Sequence, residues 1–375
     1  MRLIHVVENL DRGAVENWLV NVFLESRKYR PEWDWTFYCI VGKPGKLDEW
    51  VRKAGGNIIY SPVTVSDKFA FLKHLRRTLR SEIYDILHVH HDYLSGFYLL
   101  ASIGIDFRKR VLHIHNNDRI LPVGNNLLRR ILLPVFRQLT LLLSDHVLCI
   151  SKFTLKDYKL GFRGQKPLFS VLHYGIDMSR FEGETDSRAF RKKFNIPEDC
   201  KVLLFAGRIN QVKNPEFVVE ILNSLLAMRK DVYAIFVGKG EREEVIISKA
   251  HDYGIEDHVR MVGWSDTIPK FMKSSDVFVF PRLLEPREGF GIVVVESQCA
   301  GLPILITNGI EKDPVIIEDL VFWNNLEDPR SWAVKIDQIL ESNNIPDRAT
   351  CLNTMKRSKF ELANATENLI QFYEH

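Results

Sequence analysis

The chain has 375 residues, 46% of them apolar and 26% charged, which excludes a disordered or fibrous chain and leaves room for two hydrophobic cores. Its formal net charge of +3 hides an asymmetry, because residues 1–180 carry 27 Lys and Arg against 17 Asp and Glu while the remainder carries 24 against 31; with so slight a total excess, no nucleic-acid partner is expected. Five scattered cysteines, Cys39, Cys149, Cys200, Cys299 and Cys351, read as buried thiols of a reducing cytosol and not as a disulfide frame or a metal site.

Leu3-Ile4-His5-Val6-Val7 is a first buried strand, and the N-terminal MRLIHVVENLD has too few apolar residues before its first acid for a signal peptide. The loop 8–13 leads into a helix over 14–25. Where a dinucleotide-binding fold would show G-x-G-x-x-G, this loop offers one glycine, Gly13, which disfavours a dehydrogenase. Strands at 36–41, 58–60, 86–90, 110–115, 146–150 and 169–171 alternate with amphipathic segments at 69–80 and 94–103, the pattern of a doubly wound parallel sheet.

Two histidine clusters, His88-Val89-His90-His91 and His113-Ile114-His115-Asn116-Asn117, fall at strand C-termini, where α/β sheets bind ligands. No cysteine or clustered acid completes a zinc set there, so packing or support is the expected role and no metal is assigned. The segment 121–143, LPVGNNLLRRILLPVFRQLTLLL, suits either a core helix or an interfacial helix whose Arg129, Arg130 and Arg137 meet anionic lipid. Its longest apolar run, 131–143, is interrupted by Pro134 and Arg137 and falls short of the about 20 residues a membrane span requires. The expectation is a cytoplasmic protein, with peripheral contact at the inner face of an anionic membrane as an addition.

The charged stretch 182–193 crosses to a second series. Strands at 202–206, 232–237, 259–262, 277–280, 303–307 and 321–323 alternate with helices at 215–229, 242–253, 268–273 and 292–300, so domains of 1–180 and 181–357 are expected. Just past the first of these strands stand Arg208, which can fork two hydrogen bonds to phosphate, and Lys213, a compact charge. Gly238-Lys239-Gly240 ends the next strand and lacks the third glycine of a dinucleotide fingerprint. Val262-Gly263-Trp264 ends the one after; by itself a Gly-Trp turn reads as a packed corner.

The stretch 281–307, PRLLEPREGFGIVVVESQCAGLPILIT, joins a strand end, a glycine loop bearing a carboxylate, a helix and the next strand. Glu288-Gly289-Phe290-Gly291 therefore lies at the C-terminal end of a parallel strand and at a helix N-terminus, a place for an anion. Glu288 and Glu296 fall on loop and helix, too far apart for an acid/base pair on one face, so they should grip different parts of one elongated ligand.

At these residues the chain resembles the retaining glycosyltransferases of family 4, with the GT-B fold, whose Glu-x7-Glu motif reads here EGFGIVVVE. The resemblance implies two Rossmann-like doubly wound parallel-sheet domains facing a cleft, the first for an acceptor and the second for a nucleotide-sugar donor, with a C-terminal helix, 358–373, returning to the first. It implies that Glu288 contacts donor-sugar hydroxyls and that the loop of Gly289, Phe290, Gly291 and Ile292 approaches diphosphate or sugar. Glu296 would hold the ribose, and Arg208 and Lys213, in the family's Gly-Arg…Lys-Asn pattern, the pyrophosphate. Gly238 would wall the pocket, and the backbone of Val262, Gly263 and Trp264 would pair with the base. His115 matches a histidine facing the donor sugar. Gly13 and Ala14 stand where the family has two glycines, and Tyr174-Gly175-Ile176-Asp177 carries tyrosine where the family has asparagine.

The implied activity is hexosyl transfer from a UDP-sugar, UDP-glucose or a relative, to a glycan or polyprenyl-diphosphate-linked acceptor in exopolysaccharide, capsule or envelope-glycan synthesis. Glu288, His115, Arg208 and Lys213 would be the catalytic set. No D-x-D occurs and two cations are at hand, so neither a metal nor a cofactor is expected. Two alternatives are a GT-B nucleotide-sugar 2-epimerase and a catalytically idle sugar-nucleotide-binding module.

Overall fold

The computed structural model describes residues 1–11, 13–116, 127–160, 162, 166–285 and 288–375, apart from the side chains of residues 93 and 127–133. Short apolar runs become parallel strands, and the chain divides into two units, Met1–Asp177 with Lys359–His375, and Met178–Ser358. In the first, β1 (Arg2–Val7), β2 (Asp34–Cys39), β3 (Asn57–Tyr60), β4 (Ile86–Val89), β5 (Lys109–Ile114), β6 (His146–Cys149) and β7 (Leu168–Val171) form one sheet in the order β3-β2-β1-β4-β5-β6-β7. In the second, β8 (Lys201–Ala206), β9 (Val232–Val237), β10 (Val259–Gly263), β11 (Val277–Phe280), β12 (Ile304–Thr307) and β13 (Val321–Asn324) run in the order β10-β9-β8-β11-β12-β13. Both sheets are doubly wound. Each reverses its winding beside its first strand, between β1 and β4 and between β8 and β11, and ligands of such sheets bind beyond the carboxyl ends of the strands at that point.

Residues 202–206 of β8 and all of β11 are apolar and buried instead of alternating, as in parallel strands covered on both faces. Four helices position the residues discussed below: α1 (Ala14–Ser26), α2 (Pro215–Leu226), α3 (Ile292–Cys299) and α4 (Leu362–Glu374). Pro215 opens α2 because its missing N–H falls where none is needed, and Asn214, left-handed at φ 53°, turns the chain into it. One face of α2 buries Val218, Ile221, Leu222 and Leu225 against Phe236 and Trp332; burial of each such side chain contributes about 1.5–3 kcal/mol.

Two of the differences between sequence and structure bear on packing. The amphipathic segment 94–103 is regular helix only at Ser95–Leu99 and is flanked by tighter turns. Gly96 lies so close to the helix Leu127–Leu143 that a Cβ there would sit 2.5 Å from the Phe136 carbonyl oxygen. The C-terminal helix starts at Leu362 and not at 358, because the backbone just before it is bound to the segment around Ile176: Ile176 N donates to Phe360 O at 2.8 Å and Leu362 N to Ile176 O at 3.1 Å. No helix among the described residues is long and apolar enough to cross a membrane.

Candidate functional site

In the second unit the loops after β8, β9 and β10 are bound edge to edge. Gly207 N donates to Val237 O (2.9 Å), Ile209 N to Lys239 O (3.0 Å) and Gly238 N to Gly263 O (2.8 Å). This contact explains the Gly-x-Gly turn, since a Cβ at Gly238 would stand 1.8 Å from Gly207 O and one at Gly240 2.1 Å from Ile209 O. Val262 sits at a shift in the β10–β9 register, a bulge of the kind that re-aims the chain beside a site. Beyond it Trp264 is 52% exposed, so the Gly-Trp turn is not a packed corner. The loops and α3 enclose a cavity of about 330 Å³ lined by Gly207, Arg208, Gly238, Trp264 and Glu296, with Arg208 exposed to it.

A buried ionic cluster adjoins this cavity. Glu288 Oε2 is 2.6 Å from Lys213 Nζ and 2.6 Å from Arg282 Nε, so two cations share one carboxylate oxygen. The backbone carries Lys213 there: Asn210 Oδ1 accepts from Lys213 N at 3.0 Å, Asn214 Nδ2 donates to Pro281 O at 3.1 Å, and Leu283 N donates to Val212 O at 2.9 Å. Burial alone would raise the Glu288 pKa, but Lys213 and Arg282 outweigh it and leave it lowered. Burial lowers Lys213, Glu288 offsets only part of that, and the charges of Arg282 and Arg208 lower it further. Arg282 is lowered chiefly by burial and further by the charge of Arg208, so three cations crowd one carboxylate, a field that favours an additional anion.

The helix α3 begins at Gly291, left-handed at φ 82°, with no side-chain cap, so its first N–H groups are presented by the loop itself. Gln298 fixes this helix from behind: its amide donates to Val294 O and Pro314 O and accepts from Ile316 N and Ile317 N, all at 2.8 Å. Glu296, half-buried on the cavity side, has its pKa raised to about 7 by burial, with Arg180 working against that rise.

In the first unit Gly13 precedes α1 and Ala14 is exposed at its start; a Cβ on Gly13 would collide with the Glu16 carboxylate, which folds back to 2.0 Å from that point. Below them the inward-facing histidines of three adjacent strands pack together. His5 of β1, His88 and His90 on and just past β4, and His113 and His115 on and just past β5 are all buried. Ring centroids lie 4.2 Å apart for His88 and His90 and 4.3 Å for His113 and His115, both stacked. Burial, reinforced among neighbours by mutual repulsion, lowers the pKa of all five, that of His5 to about 3. Candidate metal-binding nitrogens of His5, His88 and His90, and of His90, His113 and His115, lie within 4.8 Å of one another. Two of these contacts, His5–His90 and His90–His115, are hydrogen bonds at 3.0 Å. His115 itself is 3% exposed; its Nε2 is bound to His90 and its Nδ1 to the Tyr174 hydroxyl. Asp92, left-handed at φ 46°, accepts the backbone N–H of His115 at 2.6 Å.

Two family models divide the chain: "Glycosyltransferase Family 4" matches residues 24–180 and "Glycosyl transferases group 1" matches residues 186–355. The chain belongs to glycosyltransferase family 4. This glycosyltransferase is 26% identical over 380 residues to a Bacillus subtilis protein named as glycosyltransferase EpsF, covering 99% of this chain and 96% of that one. It is 21% identical over 386 residues to the capsular polysaccharide biosynthesis glycosyltransferase CapH of Staphylococcus aureus, covering 100% and 98%. Among solved structures, Anabaena HepE in complex with UDP and glucose matches with a TM-score of 0.80 at 16% identity over 100% of this chain and 99% of that one. WaaG, a glycosyltransferase involved in lipopolysaccharide biosynthesis, matches at 0.72 and 16% over 100% and 99%. These neighbours share the GT-B fold.

Within the glycosyltransferase, then, the structure brings Arg208, Gly238, Trp264 and Glu296 around one cavity, and joins Lys213 to Glu288 beside it. Sequence reasoning missed Arg282, a single arginine behind Pro281 with nothing in its spacing to mark it. It also missed His5, which reads as one more strand residue until its β4 neighbours are known, and Gln298, three of whose four bonds depend on a loop 16–19 residues away. Asn117 and the side chains of Arg129 and Arg130 lie outside the described residues.

Proposed function

We propose that this glycosyltransferase moves a hexose from a UDP-sugar, UDP-glucose or a relative, to a glycan or polyprenyl-diphosphate-linked acceptor in exopolysaccharide, capsule or envelope-glycan synthesis, with retention of configuration and without a divalent metal. The observation that carries this reading is the cavity of the second unit, where an exposed guanidinium, a glycine wall, an open indole and a half-buried carboxyl surround one space. Solved neighbours of the same fold are complexes of HepE with UDP, with UDP and glucose, and with UDP-glucose, which supports the donor class.

In this reading Arg208 and Lys213 hold the diphosphate with the amides of Gly289, Phe290, Gly291 and Ile292, and Glu296 holds the ribose. Gly238, Val262, Gly263 and Trp264 wall the base, and Glu288 meets the sugar hydroxyls. The roles of His115, Gly13 and Ala14 in donor binding rest on the family resemblance alone, and both ring nitrogens of His115 are hydrogen-bonded within the first unit. The bond from the anomeric carbon to the phosphate oxygen breaks to an oxocarbenium-like species, the acceptor hydroxyl bonds to that carbon on the same face, and its proton passes to the departing phosphate. Fixed cations stabilise the leaving group, the electrostatic task a metal performs elsewhere.

The test is UDP release from a panel of UDP-sugars, with and without glycan acceptors, by the wild type and Arg208→Ala. Acceptor-dependent release lost in the variant supports transfer; conversion of the sugar nucleotide without acceptor would make the enzyme an epimerase, and no turnover by the wild type a binding module. Peripheral contact with the inner face of an anionic membrane, through Arg129 and Arg130 of the helix Leu127–Leu143, belongs to the same proposal. Arg137 is already engaged, donating to Tyr158 O and Leu160 O. Flotation with anionic liposomes should fall in an Arg129/Arg130→Glu variant of intact fold; equal flotation of both proteins would leave a soluble acceptor as the better reading.

A further inference from the structure

Lys239 stands between the two glycines of the loop after β9; it is exposed and lines the same cavity as Arg208, Trp264 and Glu296. Its backbone is fixed, since its carbonyl accepts from Ile209 N at 3.0 Å and the preceding Gly238 N donates to Gly263 O at 2.8 Å. Its ammonium is not: the side chain makes no hydrogen bond or ion pair among the described residues. The nearby Glu243 carboxylate is turned instead to Gly240 N at 2.8 Å. A Cβ placed at Gly263 would stand 3.6 Å from Lys239 Cε, so the stem runs from the loop of β9 across to that of β10 and brings its charge out beside the turn that carries Trp264.

Strand order gives a bound ligand its direction. Lys213 follows β8, and Arg282 and Glu288 follow β11, so the crowded cations lie over the β8–β11 pair. Trp264 follows β10, the edge strand beyond β9. From β10 to β8 is two strand spacings and to β11 three, about 10–15 Å in all. That span suits an extended nucleoside diphosphate with its phosphates over β8 and β11. The two exposed cations of the cavity therefore stand at different stations, Arg208 on the loop of β8 and Lys239 reaching toward β10.

In a pyrimidine nucleotide laid this way the base comes to Trp264, and its far end is the substituent at C4, across the ring from the glycosidic nitrogen. An ammonium can only donate, so it favours a carbonyl at that position and disfavours an amino group. We propose that Lys239 is a specificity-determining residue for the nucleotide: its ammonium donates to the C4 carbonyl of uracil and so selects uridine over cytidine diphosphates. This rests on the donor site proposed above, which walls the base but assigns no side chain to its polar edge.

The experiment is calorimetric titration of UDP and of CDP into the wild type, Lys239→Met and Lys239→Glu at one pH and ionic strength. The two nucleotides share ribose and diphosphate and differ only on the edge formed by C4 and N3, so the ratio of their affinities isolates the base. Met keeps an apolar stem against Gly263 and removes the charge; because Lys239 is exposed, both variants should melt as the wild type does. The wild type should prefer UDP about tenfold or more, the worth of one hydrogen bond to a charged group. Lys239→Met should lower that ratio about tenfold, chiefly by weakening UDP. Lys239→Glu, whose carboxylate accepts from the cytosine amino group, should move it further toward CDP. A wild-type ratio near one overturns the assignment without any variant. Equal weakening of both nucleotides in Lys239→Met would place the ammonium on the diphosphate, and an unchanged ratio would leave the choice of base to the backbone; either overturns it. A folded wild type that binds neither nucleotide would remove the donor site itself, a failure distinct from one in which UDP binds and Lys239 is silent.

Discussion

In the second unit Glu288 shares one oxygen between Lys213 and Arg282 at 2.6 Å each, while in the first the buried histidines bond to one another and to tyrosine hydroxyls. Both clusters lie near the carboxyl ends of strands beside the winding reversal, and both face the penalty for burying polar groups. The second unit meets it by pairing full charges, the first by discharging its groups and coupling neutral ones. The two solutions differ in what they permit. A paired charge can exchange its partner, so an anionic ligand can take over Lys213 or Arg282 from Glu288; a neutral chain of imidazoles offers no charge to exchange and holds only position. Anion chemistry is therefore expected from the second unit and placement from the first.

The sharpest way to break this contrast is to remove the central acid. Glu288→Gln leaves two largely buried cations without their carboxylate, and loss of one member of such a cluster costs about 3–5 kcal/mol. Urea unfolding should show that loss, and UDP at about 100 times its Kd should restore about 2.7 kcal/mol. UDP affinity itself should stay intact or rise, because Lys213 no longer has an internal competitor. Unchanged stability, or weakened UDP binding, would show that the cluster does not work by exchange.

Next in size is the exposed cation. Arg208→Ala touches no core contact, so the fold should be unaffected, while kcat should fall about 10²- to 10³-fold, or about 2.7–4 kcal/mol, as for loss of one transition-state stabiliser. Transfer assays beside a thermal melt measure both. Near-normal kcat would move the diphosphate away from Arg208 and remove the functional half of the contrast.

How much of this was legible in the sequence follows from the range of the interactions. The strands were, because a run such as KVLLFA or VFVF states its burial locally, and alternation with helices then implies a parallel sheet. The EGFG loop was, because its glycine, its carboxylate and the following helix are contiguous. Arg282 was not, since its partner is fixed by where the loop folds and nothing in PRLLEP marks one arginine. The histidine chain was half legible: the alternating His88/His90 and His113/His115 pairs placed rings on one face, but His5 joins only through the parallel pairing of β1 with β4, and Tyr174 through a chain reversal 59 residues beyond His115. Tyr174 in an otherwise familiar motif looks like a defect, whereas in the structure its hydroxyl is hydrogen-bonded to buried His115 at 2.6 Å.

The smallest expected effect sets the two carboxylates of the second unit against each other by pH. The Glu288 pKa is lowered, so its contribution to stability is present above the unfolded value of 4.5 and is lost as pH falls through its folded value. Glu296 is the opposite case: its pKa is raised to about 7, so its contribution is present below 4.5 and is lost as pH rises through about 7. Ligand binding should follow Glu296. If its carboxylate accepts from ribose hydroxyls, UDP selects the ionised form, which rises from about a tenth at pH 6 to about nine-tenths at pH 8 for a group titrating near 7. The Kd for UDP should therefore tighten about tenfold across that interval, about 1.4 kcal/mol, measured by calorimetry in buffers of matched ionic strength. Glu296→Gln should bind weakly at both pH values and lose the dependence. A Kd that tightens as strongly in Glu296→Gln as in the wild type would place the titrating group elsewhere, the UDP phosphate itself being the first candidate, and would detach Glu296 from the ribose.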